Sequence, residues 1–410
     1  MKRKGINTRS LFKLAAVIIG LMAFNAIMGT PQTFGQVPGV TGDGIKIGIF
    51  GPFTGPVAVF SKTLHLSDSI FKGMVNETGG VHGRKIETIL EDDTCDPVKG
   101  VAAVKKLIFQ DKVFMLFGGM CGNLCLSVKK EIVQEKIPWI SFGSPDALYE
   151  PVEKNIFAGF LTSRYVAEIM ADFAMSKPGT KRVAVIKHSD EWGMAFHRPL
   201  IKYLQEKYNI APVADVTIER GTTDATPQVL KIKEANPDFV FSITYVVDTS
   251  VVLRDAYKLG LDVPIIGTIA PMVDEQLNRV GIPEALKKFF TPHPCKYTVE
   301  KPEMDRWKQL LSKYYPKDVF DINTINGVGG PLAAVEALKK AGRDLTREKF
   351  IQGMESLDKF NPEISPLSVP LSYSPTNHVG LRRSAYSTIA TGKVEIVYDW
   401  KDYEKLMKGK

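Results

Sequence analysis

From Ile45 onward two periodicities alternate, and that alternation leaves the chain very few architectures. Short apolar runs recur at Ile45–Phe50, Ile86–Leu90, Val113–Phe117, Trp139–Phe142, Val183–Lys187, Phe239–Ile243 and Pro264–Gly267. Between them lie stretches with helical spacing: Leu64–Asn76, Pro97–Gln110, Leu126–Gln134, Val166–Met175, Met194–Tyr208, Thr226–Ala235 and Thr249–Leu259. Buried strands alternating with amphipathic helices predict an α/β protein, its parallel sheets covered by helices on both faces. Gly79-Gly80, Lys177-Pro178-Gly179 and Asn236-Pro237-Asp238 punctuate the joints.

The rhythm changes near Pro292. Phe289–Val299 reads as an extended connection, followed by helical stretches at Pro302–Tyr315, Gly329–Ala341 and Arg347–Leu357. The last part, Ser365–Tyr373 and Ser384–Trp400, has the pattern of antiparallel strands. No repeat or low-complexity linker separates the halves, so two α/β domains joined by several short crossings are expected, an arrangement that makes a hinge.

The first residues read as an export signal. Lys2, Arg3, Lys4, Arg9 and Lys13 precede an apolar run from Leu14 to Met28, broken by Gly20 and Asn25, and a small-residue zone follows. That run is short for a spanning helix, which needs about 20 apolar residues. Residues 1–35 are therefore assigned to a cleaved signal and the mature protein to the periplasm. No cysteine stands near the cut to carry a lipid anchor. The formal charge of +8 falls to +3 once the five basic residues of the signal, unaccompanied by acids, are removed. No Lys/Arg-rich tract remains, which excludes nucleic acid as a partner. The roughly 375 residues left exceed one comfortable core and predict two domains. Four cysteines in an exported chain are free to pair.

No catalytic constellation emerges: there is no G-x-S-x-G, no G-x-x-x-x-G-K-[ST] and no H-E-x-x-H. His65, His82, His188, His197, His293 and His378 are scattered without metal-ligand spacing. Asp92-Asp93 reads as a solvated or helix-capping pair. No metal or cofactor is expected, and no enzymatic activity. What stands out is a set of turns at the carboxyl ends of the strands: Gly51–Thr54, Gly118–Asn123, Ser141–Pro145, Ser189–Gly193, Thr244–Asp248 and Thr268–Met272. Ligands of open parallel sheets bind outside those strand ends, where helix N-termini offer N–H groups to an anion.

Three segments carry a resemblance: Gly48-Ile49-Phe50-Gly51-Pro52-Phe53-Thr54-Gly55-Pro56, Asn76-Glu77-Thr78-Gly79-Gly80-Val81-His82-Gly83, and Glu91-Asp92-Asp93-Thr94-Cys95-Asp96-Pro97. They resemble the opening of the leucine/isoleucine/valine-binding proteins, periplasmic receptors of branched-chain amino-acid ABC transporters. The likeness continues through Gly118–Cys121, Ile137–Ser141, Pro237–Val240 and Pro264–Gly267. It implies a type I periplasmic binding fold: two doubly wound parallel-sheet lobes joined by a three-strand hinge. The N-terminal lobe would comprise 42–162 with 293–384, the C-terminal lobe 163–292 with 385–410. The crossings would fall near Gly159–Ser163, Pro292–Lys296 and Arg382–Tyr386. Cys95 and Cys121, at neighbouring strand ends and at the family's positions, would form a disulfide, leaving Cys125 and Cys295 as thiols or an unproven pair. The expected partners are a small solute and inner-membrane permease subunits, with the protein itself a monomer.

The departures from the amino-acid pattern bear on the ligand. Serine and threonine positions that hold the carboxylate in similar proteins correspond to Gly122 and Pro145. Aromatic positions correspond to Phe60, Trp192 and Tyr245, and the acid that meets the ammonium corresponds to Ile269. An ammonium desolvated without a counter-charge costs several kcal/mol, so the ligand expected here is a small organic acid, aromatic by the character of these walls. Backbone groups of Gly122, Asn123, Gly143 and Ser144 would hold its carboxylate, with Arg164 as charge partner. Two alternatives stay open: a branched-chain amino-acid receptor, in which Asp248 or Asp274 supplies the acid, and a ligand sensor signalling to a membrane partner.

Overall fold

The computed structural model describes residues 37–55, 57–268, 279–389 and 394–398. The expected export signal, residues 1–35, lies outside them, and no helix among the described residues is long and apolar enough to cross a membrane.

Five parallel strands form the first sheet: β1 (Gly44–Gly51), β2 (Lys85–Asp92), β3 (Met115–Gly118), β4 (Trp139–Ser141) and β5 (Ile156–Ala158), in the order β2-β1-β3-β4-β5. The chain runs outward from β1 to β2, then crosses back to β3 and continues the other way. The winding therefore reverses between β1 and β3. Helices α1 (Ser61–Ser69), α2 (Pro97–Lys105) and α3 (Gly122–Gln134) make the return connections. Phe50, Leu107, Leu116, Leu124, Val128 and Trp139 form one buried layer against this sheet. Their continuous apolar character is what strands buried on both faces require.

The second sheet holds β6 (Val183–His188), β7 (Ala214–Ile218), β8 (Phe239–Ile243), β9 (Ile265–Gly267), β10 (Phe289–His293), β11 (Ala385–Thr388) and β12 (Glu395–Tyr398). Its order is β12-β11-β10-β9-β8-β6-β7, and here the winding reverses between β6 and β8. Helices α4 (Ser163–Ser176), α5 (Glu191–Tyr203), α6 (Thr226–Glu234) and α7 (Val246–Lys258) accompany it. Ile186, Val216, Val229, Val240, Val252 and Phe289 lie in its core.

After β10 the chain returns to the first sheet. Helix α8 (Asp305–Tyr314), with the short α9 (Ile322–Ile325), contributes Trp307, Leu311 and Ile325 to a cluster with Leu66 and Ile70 of the segment that begins with α1. Helices α10 (Gly329–Ala341) and α11 (Arg347–Glu355) follow, and then the chain re-enters the second sheet at β11.

Three expectations need correction. Phe289–His293 is a strand, parallel to β9 and antiparallel to β11, rather than a free connection. Ser365–Tyr373 forms no named strand and makes only the isolated bridges Cys295–Leu367 and Phe360–Leu371. Pro362, Pro366 and Pro370 remove ladder donors at every fourth residue there. Strands β5 and β7 appear where no apolar run was read. Strand β5 is only three residues long, and β7 is a sheet edge whose burial alternates residue by residue.

Candidate functional site

At the first sheet, Asp92 ends β2 and organises the turn after β1. Its carboxylate accepts N–H bonds from Phe53 (2.9 Å), Thr54 (3.3 Å) and Thr94 (3.0 Å), and the Thr54 hydroxyl also donates to it. Burial pushes this carboxyl up, but the bonds from Thr54, Thr94 and Phe53 outweigh burial and hold it below its ordinary range. Asp93 is different. It is fully buried, takes one N–H from Cys95 at 2.8 Å, and leaves Oδ2 without a hydrogen-bond partner. Burial, with Asp92 beside it, pushes its carboxyl up to about 6 against that Cys95 bond. The pair thus builds a turn and is not a solvated cap.

Cys95 and Cys121 are joined, with Cα atoms 5.6 Å apart. Their strands β2 and β3 are not neighbours but flank β1, so the bridge links segments from either side of the central strand. Cys125 and Cys295 are buried thiols in separate apolar clusters. Helix α3 starts at Gly122 with no side-chain cap, and its first backbone bond runs from the Cys125 N–H to the Cys121 carbonyl. The N–H groups of Gly122, Asn123 and Leu124 precede that bond and have no intrahelical partner. A Cβ on Gly122 would stand 2.8 Å from Cγ of Pro145. The two positions that lack the expected hydroxyls therefore pack on each other, and the proline ring fills the space a serine would need.

Gly143 does not offer the backbone groups expected of it. Its N–H donates to the Ser141 hydroxyl at 3.0 Å and its carbonyl accepts from Tyr149 at 2.7 Å. The Ser144 carbonyl accepts both the N–H and the hydroxyl of Ser163, at 2.8 and 2.9 Å. Arg164 is committed as well: Nε donates to Glu168 at 2.8 Å and an Nη to Glu150 at 2.7 Å. The Glu168 carboxylate, with Glu150 near it, keeps this guanidinium firmly charged and locally neutralised. Asn123 is exposed on the first turn of α3, and half-buried Phe60 closes a short 3-10 turn before α1. Ile269 and Asp274 lie outside the described residues.

At the second sheet the structure brings Trp192 and Tyr245 together. Trp192, on the first turn of α5 after β6, and Tyr245, in the turn after β8, stand at the two strands where the winding reverses, and their rings stack with centroids 4.1 Å apart at 23°. Phe60 makes no ring contact with them. Three polar residues hold this pair: His188 and Arg220, which the sequence reading passed over as ligand contacts, and Asp248, which it offered only as the acid of an amino-acid receptor. The buried His188, last residue of β6, receives the Tyr245 N–H on Nε2 at 3.0 Å and lies 3.1 Å from Asp248. Burial lowers its pKa against the pull of Asp248. Asp248 also accepts the Gly221 N–H at 2.9 Å, which fixes the turn after β7. In that turn Arg220 lays its guanidinium carbon 4.4 Å from the Tyr245 ring centroid and donates to the Tyr245 hydroxyl at 3.0 Å. It is also ion-paired with Asp190, the residue that caps α5 through the Gly193 N–H. Asp190 was legible as a cap ahead of a helical run. Arg220 follows the unread edge strand and carried no signal.

These two sets of residues occupy the reversal points of doubly wound sheets, where such folds bind ligands. A family model described as periplasmic binding protein matches residues 44–392. Among curated relatives, the Leu/Ile/Val-binding protein homolog 3 of Brucella melitensis biotype 1 is 24% identical over 298 residues, 72% of this chain and 77% of that protein. A leucine-, isoleucine-, valine-, threonine- and alanine-binding protein of Pseudomonas aeruginosa is 24% identical over 55% of this chain and 60% of its own length. Among solved structures, a fatty acid ABC transporter substrate-binding protein from Thermomonospora curvata superposes with a TM-score of 0.74 at 24% identity, covering 90% of this chain and 95% of that one. LivJ of Streptococcus pneumoniae, in complex with isoleucine, gives 0.69 at 18% identity over 86% and 98%. With a family match across nearly the whole described chain and the same architecture in these structures, the chain belongs to the periplasmic binding protein family and has the type I fold of the Leu/Ile/Val-binding proteins.

Proposed function

We propose that this protein is the exported solute receptor of an ABC importer of the branched-chain amino-acid type, and that it takes a small organic acid with an aromatic ring. In this reading the lobes are 42–162 with 293–384 and 163–292 with 385–410, and the solute lies between the two sets of strand ends. The observation that carries the ligand class is the Trp192–Tyr245 stack at the reversal point of the second sheet. Flat aromatic walls favour a flat ring, by about 0.5–1.5 kcal/mol beyond burial alone. The uncapped N–H groups of Gly122, Asn123 and Leu124 suit a carboxylate. With Pro145 filling the space of the usual hydroxyl, less of the binding energy of an amino acid's head group is available.

A branched-chain amino acid is the second reading. It is favoured by the Brucella and Pseudomonas relatives, which are named for leucine, isoleucine and valine. Calorimetry of the mature protein separates the two. The panel is benzoate, 4-hydroxybenzoate, phenylacetate and cinnamate against leucine, isoleucine and valine. Micromolar binding of an aromatic acid, weakened at least tenfold in Trp192→Ala, is the expected result. Micromolar leucine binding with no response to any aromatic acid returns the protein to the amino-acid class.

A further inference from the structure

We propose that Arg220 is the residue that selects for a carboxylate, an inference that rests on the aromatic-acid reading above and goes beyond it by naming the charge partner. The guanidinium expected to do this from sequence, Arg164, already faces two carboxylates, at 2.7 and 2.8 Å. A third anion there would meet a site that carries net negative charge. Arg220 is placed differently. It stands at the mouth of the second sheet with its side chain 54% exposed, and its guanidinium lies over the Tyr245 ring that Trp192 stacks upon.

A guanidinium has five N–H groups in one plane. In Arg220 the Nε–H goes to Asp190 and one Nη2–H to the Tyr245 hydroxyl. Three N–H groups remain, two of them on Nη1, so an end of the fork is open to a carboxylate while the aromatic ring fixes its plane. Unlike Glu150 and Glu168, which bond Arg164 at both Nη1 and Nε, Asp190 bonds Arg220 at Nε alone and leaves the Nη1 end open. It is a single acid, and its other oxygen is spent on the Gly193 N–H at the start of α5. The position of Arg220 is set from below. Asp248, buried, holds the N–H of the next residue, Gly221, and His188 holds the N–H of Tyr245. One polar node thus orients both the cation and the ring it rests on. A carboxylate brought to this aromatic wall would meet the open donors of the cation. His188 and Asp248 are positioning residues in this scheme and touch no solute.

The test measures binding of each acid of the panel and of its amide (benzoate and benzamide first) to the mature wild-type protein, Arg220→Met and Asp190→Asn. Thermal unfolding of each unliganded variant is recorded alongside. Arg220→Met is expected to weaken the acid by about tenfold to a hundredfold, the range of a charge-assisted hydrogen bond, while the amide changes by no more than about twofold. Asp190→Asn keeps a capping side chain and removes the competing charge, so it is expected to hold the acid more tightly than wild type. An equal loss for acid and amide in Arg220→Met means that the residue only props Tyr245, and overturns the proposal while leaving the aromatic-acid reading intact. An unchanged acid affinity does the same. Wild-type protein that binds none of the acids overturns the aromatic-acid reading, and this proposal with it.

Discussion

At the scale of single residues, neighbouring positions have opposite fates. Asp92 is held charged by four donors, whereas Asp93 is buried with one. A carboxyl whose folded-state pKa is raised from 3.8 to about 6 binds its proton more tightly in the native protein. Its contribution is therefore fully favourable below about pH 4, is lost as pH rises through 6, and is flat above. The span is roughly 3 kcal/mol, two pH units of linkage. Thermal unfolding between pH 4 and 7 should show that slope in the wild type, and Asp93→Asn should flatten it. An identical slope in both proteins would place the titration elsewhere. A second pair is coupled by contact. Gly122→Ser alone drives its Cβ against the Pro145 ring and should cost about 1–3 kcal/mol, as overpacking does. Adding Pro145→Thr should recover most of that loss, so chemical denaturation of the two single variants and the double variant should be non-additive.

At the scale of elements, the late helices matter because they are fastened to the early sheet. Arg347 opens α11 and reaches the carbonyls of Val113 and Phe114 at 3.0 Å each, and that of Glu135 at 3.3 Å. Burial lowers its pKa, yet three carbonyl dipoles keep it satisfied. Arg347→Ala should destabilise the protein by about 2–4 kcal/mol, since buried carbonyls lose charged donors. Arg347→Lys should recover little, because an ammonium cannot span three acceptors in a plane. Urea unfolding midpoints of the three proteins check this, and a lysine variant as stable as wild type would refute the planar-fork account.

At the scale of the whole molecule, the chain passes between the two sheets after β5, after β10 and before β11. In the proposed reading, few backbone crossings and a solute contacted from both sides would make a hinge. Scattering in solution should give a smaller radius of gyration with a saturating ligand than without. An unchanged profile at saturation counts against closure.

How much of this was legible follows from the range of each interaction. Period-2 and period-3.6 patterns are written in adjacent residues, so short apolar-rich runs located β1, β2, β6 and β8, and helix α10 was read at its observed bounds, Gly329–Ala341. The motif residues fixed the family and the Cys95–Cys121 bridge. Two strands escaped: β7, whose burial alternates at a sheet edge, and β5, a three-residue apolar run that was not read. The strand-end turns that hold Trp192 and Tyr245 were legible, and the family resemblance matched these two residues to its aromatic positions. That they stack, that Pro145 occupies the space beside Gly122, and that Arg164 is spent on glutamates while Arg220 keeps open donors were decided only in three dimensions. Local sequence sets which side chains stand at a strand end. Which partner satisfies a charge depends on segments tens of residues away, and only the packed fold brings those together.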